Sequence, residues 1–139
     1  MNWKLILQLS LFGLAMGIGT VFVISSTVEP LCWLVIFLVC AYVIAARGVG
    51  RPFLHGLAIG IVNSVWVAGS HLLFFNQYIA NHAREVEMMK TMPLSDRPRV
   101  LMALTGPVIG IISGIVLGLF ALIASKVMAS RTRPAATAP

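Results

Sequence analysis

VLMALTGPVIGIISGIVLGLFALIAS, residues 100–125, holds no charged side chain and carries Gly106, Gly110, Gly114 and Gly118 at every fourth position. The stretch is longer than the roughly 20 apolar residues that an α-helix needs to cross the hydrocarbon of a bilayer. At 3.6 residues per turn each step of four drifts by about 40°, so the glycines form a slowly winding groove on one side of the helix. Such a groove admits another helix backbone. Close backbone approach is how helices gain packing energy in lipid, where apolar side chains gain nothing by leaving their solvent. The stretch therefore predicts a membrane helix with a second helix laid along it. Pro107, inside the glycine row, removes a backbone donor and predicts a kink at that end.

Outward from this run, the charged residues divide the rest of the chain into three more apolar stretches. Residues 5–24 lie between Lys4 and Glu29, residues 31–46 between Pro30 and Arg47, and residues 54–75 in the uncharged interval that ends at Arg84. None has the alternating pattern of a transmembrane strand, and helices are then the way to satisfy the backbone in lipid. Of the 139 residues 59% are hydrophobic and only 10% charged, against about a quarter charged in soluble domains. The expected fold is an all-α integral membrane protein: four transmembrane helices (5–24, 31–46, 54–75, 100–125) in an up-down bundle. Residues 1–128 form the single transmembrane domain, and 129–139, rich in Ala, Ser, Thr and Pro, a disordered cytoplasmic tail. The first stretch begins like a signal peptide, but it is too long and no A-x-A cleavage pattern follows, so it is read as a retained helix.

Basic residues set the expected orientation. The short connection containing Arg47 and Arg51 is basic, whereas the turn from Ser25 to Glu29 has no Lys or Arg. The positive-inside rule then places both termini in the cytoplasm. The expected location is a bacterial cytoplasmic, or inner, membrane. The formal net charge of +6 suits anionic lipid headgroups beside the spans and not nucleic acid. Cys32 and Cys40, eight residues apart within one span, have neither redox nor zinc spacing and are read as packing residues.

The only sizeable hydrophilic segment is 76–99. Its stretch from Ala80 to Lys90 lacks Gly and Pro, and Ile79, Ala83, Val86 and Met89 fall near one face. This predicts a short amphipathic helix on the outer surface between helices 3 and 4, stopped by Pro93. Gly13-Leu-Ala-Met-Gly17-Ile in the first span recurs as Gly56-Leu-Ala-Ile-Gly60-Ile in the third. The two copies are read either as a trace of a duplicated hairpin or as the ordinary likeness of small-residue helices. Gly13, Gly17, Gly56 and Gly60 are the candidate packing partners of the row on the fourth helix.

Few side chains inside the spans can carry chemistry. Thr20, Asn63, Ser70 and His71 are a candidate polar lining, with Thr20 expected to satisfy the Asn63 amide. His55 and His71 are expected to reach interfacial water near the two boundaries. No Asp, Glu, Lys or Arg lies in a span core, which argues against a proton relay. Small multidrug exporters resemble the chain in size and span number. They depend on a glutamate in the first span, where this chain offers Gln8, Ser10 and Thr20, so the resemblance ends at the outline. His82, Glu85, Met88 and Met92 are weak candidates for a soft metal, and neither a metal nor a cofactor is expected. No activated nucleophile, acid–base pair or phosphate loop has usable spacing.

The expected function is therefore non-catalytic. The glycine rows suggest a helix-packing homo-oligomer or an accessory subunit, with membrane lipids and other membrane subunits as partners. The alternative is a small channel or transporter with its path at Asn63, Ser70 and His71. A lipid-acting membrane enzyme is a third reading.

Overall fold

The computed structural model describes residues 1–132, which are all-helical and contain no strand. Six helices follow in order: α1 (Trp3–Phe22), α2 (Glu29–Ala46), α3 (Pro52–Leu73), α4 (Phe75–Asn81), α5 (Ala83–Lys90) and α6 (Pro98–Thr132). Four of them, α1, α2, α3 and α6, are long and apolar enough to cross a membrane.

Local chemistry sets their limits. The Asn2 side chain accepts from the Leu5 N–H at 3.1 Å and caps α1. Pro30, Pro52 and Pro98 stand in the first turns of α2, α3 and α6, where a missing N–H costs nothing. Gly48, in the turn from α2 to α3, has φ +58°, a left-handed conformation that a Cβ would oppose. Sequence reading ran the last span to Ser125 and began a disordered tail at Ala129. α6 instead continues through Ala129 to Thr132, and residues 133–139 lie outside the described part. It also passes Pro107 as one helix.

The helices pack around α3. Glycines let backbones meet on two of its sides. A Cβ on Gly56 would lie 2.6 Å from the Cα of Gly118, one on Gly60 would collide with Gly114, and one on Gly110 with Ser64. This register runs α6 antiparallel to α3. On the other side, a Cβ on Gly13 would meet the Asn63 backbone at 2.8 Å and one on Gly17 the Val67 backbone at 3.0 Å, so α1 runs parallel to α3. Gly13 and Gly17 thus face α3 and not the row on α6.

α2 has no glycine and joins differently. It lies against α6 and barely touches α1. Its buried residues are Cys40, Ala41, Ile44 and Ala45, all in its C-terminal half. There Cys40, Ala41 and Ile44 meet Leu5 and Ile6 of α1, Ile59 of α3 and Leu117 of α6 in one apolar core. Elsewhere the long helices show large apolar side chains outward, among them Leu31, Val35, Val65, Ile112 and Leu119, as lipid-facing helices do.

The single amphipathic helix expected over Ala80–Lys90 is two helices. The chain breaks at Phe74 and again at His82, whose φ is −126°. α4 is held down by burial of Phe75 and Tyr78 against Val21 and Met102, by a 2.7 Å bond from the Asn81 amide to the Val21 carbonyl, and by the Arg99 guanidinium over the Phe75 ring. α5 has no fully buried residue, and its half-buried Met89 packs against the same cluster.

Candidate ligand cavity between α2, α3, α5 and α6

Because only the C-terminal half of α2 packs into the core, its N-terminal half stands over open space. Glu29, Pro30, Trp33, Leu34 and Phe37 recur at intervals of about one turn and turn one face to a cavity of about 1030 Å³. The opposite wall is α3 and α6, with Asn63, Val67, His71, Thr105, Ser113 and Phe120 among its residues. Glu85, Met88, Met89 and Met92, on or just after α5, line it as well. Its volume lies at the upper end of small-molecule sites, and its mostly apolar lining with a few polar groups is typical of them.

An aromatic wall runs along α2. Trp33 and Phe37 have ring centroids 5.9 Å apart, and Phe37 meets Phe120 of α6 edge-on at 6.4 Å. The Trp33 indole N–H donates to Glu29 Oε1 at 3.1 Å, which fixes both side chains at the first turn of α2.

A second aromatic feature lies at the same end. His71 and Tyr78 stack with centroids 4.1 Å apart, and Tyr78 stacks on His82 at 4.3 Å. Break and stack are linked: the His82 Nδ1–H donates to the Tyr78 carbonyl at 3.1 Å, so Nε2 is left as the bare acceptor. It is buried without a partner. Burial, and then the carboxylates of Glu29 and Glu85, push the Tyr78 phenol above its ordinary range; it stays neutral and can donate a hydrogen bond.

Asn63 is 4% exposed and borders the cavity, and neither its amide nitrogen nor its oxygen has a partner. Orphaned amides in an apolar interior are costly. The Thr20–Asn63 bond expected from sequence does not form. Thr20 Oγ1 lies 2.8 Å from His71 Nε2 and donates to backbone carbonyls of its own helix, while Asn63 is about two turns too deep and presses on Gly13.

Asn63 and His71 thus line the cavity. Ser70 and Thr20 are sealed in the seam between α3 and α1, where Ser70 packs at Gly17 and donates to the Trp66 carbonyl. Neither histidine of α3 reaches open space at its boundary. His71 is 8% and His55 3% exposed. His55 Nε2 accepts from the Asn2 N–H at 3.0 Å, which leaves Nδ1–H to donate to the Arg51 carbonyl. Of the weak metal candidates, Glu85, Met88 and Met92 line the cavity and His82 is turned into the stack. Among the described residues no group of three His, Cys, Asp or Glu side chains is placed to hold a metal.

Glu29, Trp33, Tyr78 and Glu85 were not singled out from the sequence as one site. The available signal was the spacing of Glu29, Trp33 and Phe37 on one face of an otherwise largely apolar helix.

No family model, curated protein or solved structure matches the chain.

Proposed function

We propose that this protein is a non-catalytic membrane carrier or receptor that holds one amphipathic molecule in the cavity between α2 and the α3–α6 pair. The observation that carries the reading is that cavity, whose largely apolar walls carry the polar side chains of Glu29, Glu85 and Ser113. A ligand with an apolar body and one polar group would fill the space and meet those side chains.

In this reading α1, α2, α3 and α6 cross the membrane as an up-down set. Both termini are in the cytoplasm of a bacterial cell, and α4 and α5 lie at the outer surface. The cavity then faces the outer leaflet, from which an amphipathic molecule enters sideways past α5. Each glycine row has a neighbour within the chain, Gly13 and Gly17 against α3 and Gly56 and Gly60 against the row on α6, which supports a reading that does not need an assembly surface.

Native mass spectrometry of protein gently extracted from its own membrane tests the reading. The wild type should retain one adduct of small-molecule mass. Ser113→Trp and Leu34→Trp, which fill the cavity from α6 and from α2, should lose it while eluting as folded protein. Equal retention by all three would place the ligand elsewhere.

A further inference from the structure

The charges that border this cavity have one sign. Glu29 and Glu85 line it, and no lysine or arginine does, although the chain has ten basic residues and only four acidic ones. The other two carboxylates have basic neighbours: Glu87 bonds Lys90, and Asp96 lies 3.6 Å from Arg97. Among the described residues neither Glu29 nor Glu85 forms an ion pair, and Glu85 Oε2 is buried without any hydrogen-bond partner. A carboxylate oxygen taken out of water without a partner is costly. The same walls carry Trp33, Phe37 and Phe120, whose ring faces attract cations.

We infer that the ligand is a lipophilic organic cation, its charged centre held by Glu29 and Glu85 and its apolar body lying between α2 and the α3–α6 wall. The inference rests on reading the cavity as a ligand site, and it adds the chemical class. Glu29, fixed by the Trp33 indole at 3.1 Å, is the preset arm. Glu85 stands on α5, which Met89 packs onto the cluster around Tyr78, and is the second arm. The Tyr78 phenol, raised above its ordinary range by burial and by these two carboxylates, adds no competing charge.

Tetraphenylphosphonium and tetraphenylborate, alike in size and shape but opposite in charge, separate charge recognition from apolar partition. Equilibrium dialysis against the full chain in nanodiscs of zwitterionic lipid, with empty nanodiscs subtracted, gives the protein-bound fraction of each. The phosphonium should bind at least about tenfold tighter than the borate, and Glu29→Gln or Glu85→Gln should each weaken it by about tenfold without affecting the borate. Ser113→Trp and Leu34→Trp should abolish binding. If both ions bind equally and both are lost in the tryptophan variants, the cavity is a ligand site and the inference about charge is wrong. If binding is unchanged in the tryptophan variants, the cavity reading fails and the inference with it. Tighter binding of the borate also overturns the inference.

Discussion

Thr20 Oγ1 lies 2.8 Å from Nε2 of His71, joining the end of α1 to the end of α3 at the ring that begins the His71–Tyr78–His82 stack. Thr20 is 1% exposed, so no water replaces the hydroxyl when it is removed. Thr20→Val should cost about 0.6–1.7 kcal/mol, the range for such bonds between membrane helices. Unfolding in mixed micelles measures this, and in a His71→Phe background the same substitution should cost nearly nothing.

The seam between α3 and α6 makes two glycines on one helix behave differently. Gly60→Leu drives a side chain into the Gly114 backbone and should destabilise the protein by about 1–3 kcal/mol or more. Gly69, also on α3, has nothing within 4 Å of where a Cβ would stand. Gly69→Ala should be neutral or stabilising by up to about 1 kcal/mol. Melting temperatures of both variants in one detergent decide the point. Equal losses would mean that glycine acts there through the backbone and not through close approach.

Asn63 makes no hydrogen bond, so Asn63→Leu should not lower stability by the amount that loss of a buried bond would. The amide lies against Gly13 in the seam between α1 and α3, so retention of the co-purifying ligand should be unchanged. Loss of the ligand from a variant that melts like the wild type would instead place the amide in the site.

Tyr78 gives a test by pH. Its phenol is raised by burial first and by Glu29 and Glu85 next. Tyrosinate absorbance of a Tyr42→Phe protein should therefore appear only well above pH 10, the ordinary phenol value. Glu85→Gln should bring the midpoint down part of the way, since burial remains. The linkage has a definite sign. Below about pH 10 the phenol is neutral in both folded and unfolded chains and stability does not depend on it. Above that pH the unfolded chain loses its proton first, and stability falls.

Orientation can be read by thiol labelling in a cysteine-free background with Cys32 and Cys40 replaced. Met88, on α5, is half exposed, and Met88→Cys should react with an impermeant maleimide on intact cells. Gly50→Cys, in the turn from α2 to α3, should react only after permeabilisation. The reverse pattern would invert the proposed arrangement.

The four long helices were legible because lipid leaves a strong one-dimensional record: charged residues mark the ends and apolar length marks the spans. The small-residue rows were legible as packing faces, but not the way they pair. Gly13 and Gly56 sit in near-identical hexapeptides, and only tertiary geometry puts Gly13 in the seam between α1 and α3 and Gly56 in the seam between α3 and α6. Glu29 showed why the site was harder to see. In sequence it is a turn residue beside Pro30, and its role depends on α2 leaving the bundle at its N-terminal half. That departure follows from the absence of glycine in α2, which allows close approach only where Cys40, Ala41 and Ala45 are small. The break at His82 was hidden for a related reason. No Gly or Pro marks it, and it is held by ring stacking on Tyr78, a contact that helical periodicity does not record.

Saturable photolabelling of the purified protein with an apolar diazirine, followed by peptide mass spectrometry, tests the central claim most directly. The account predicts labels on residues that face each other across the cavity, Phe37 of α2 and Val67 of α3 among them, and their loss when excess unlabelled probe is added or Ser113 is replaced by Trp. Labels spread over the outward-facing Leu31, Val35 and Ile112, rising without saturation, would contradict it.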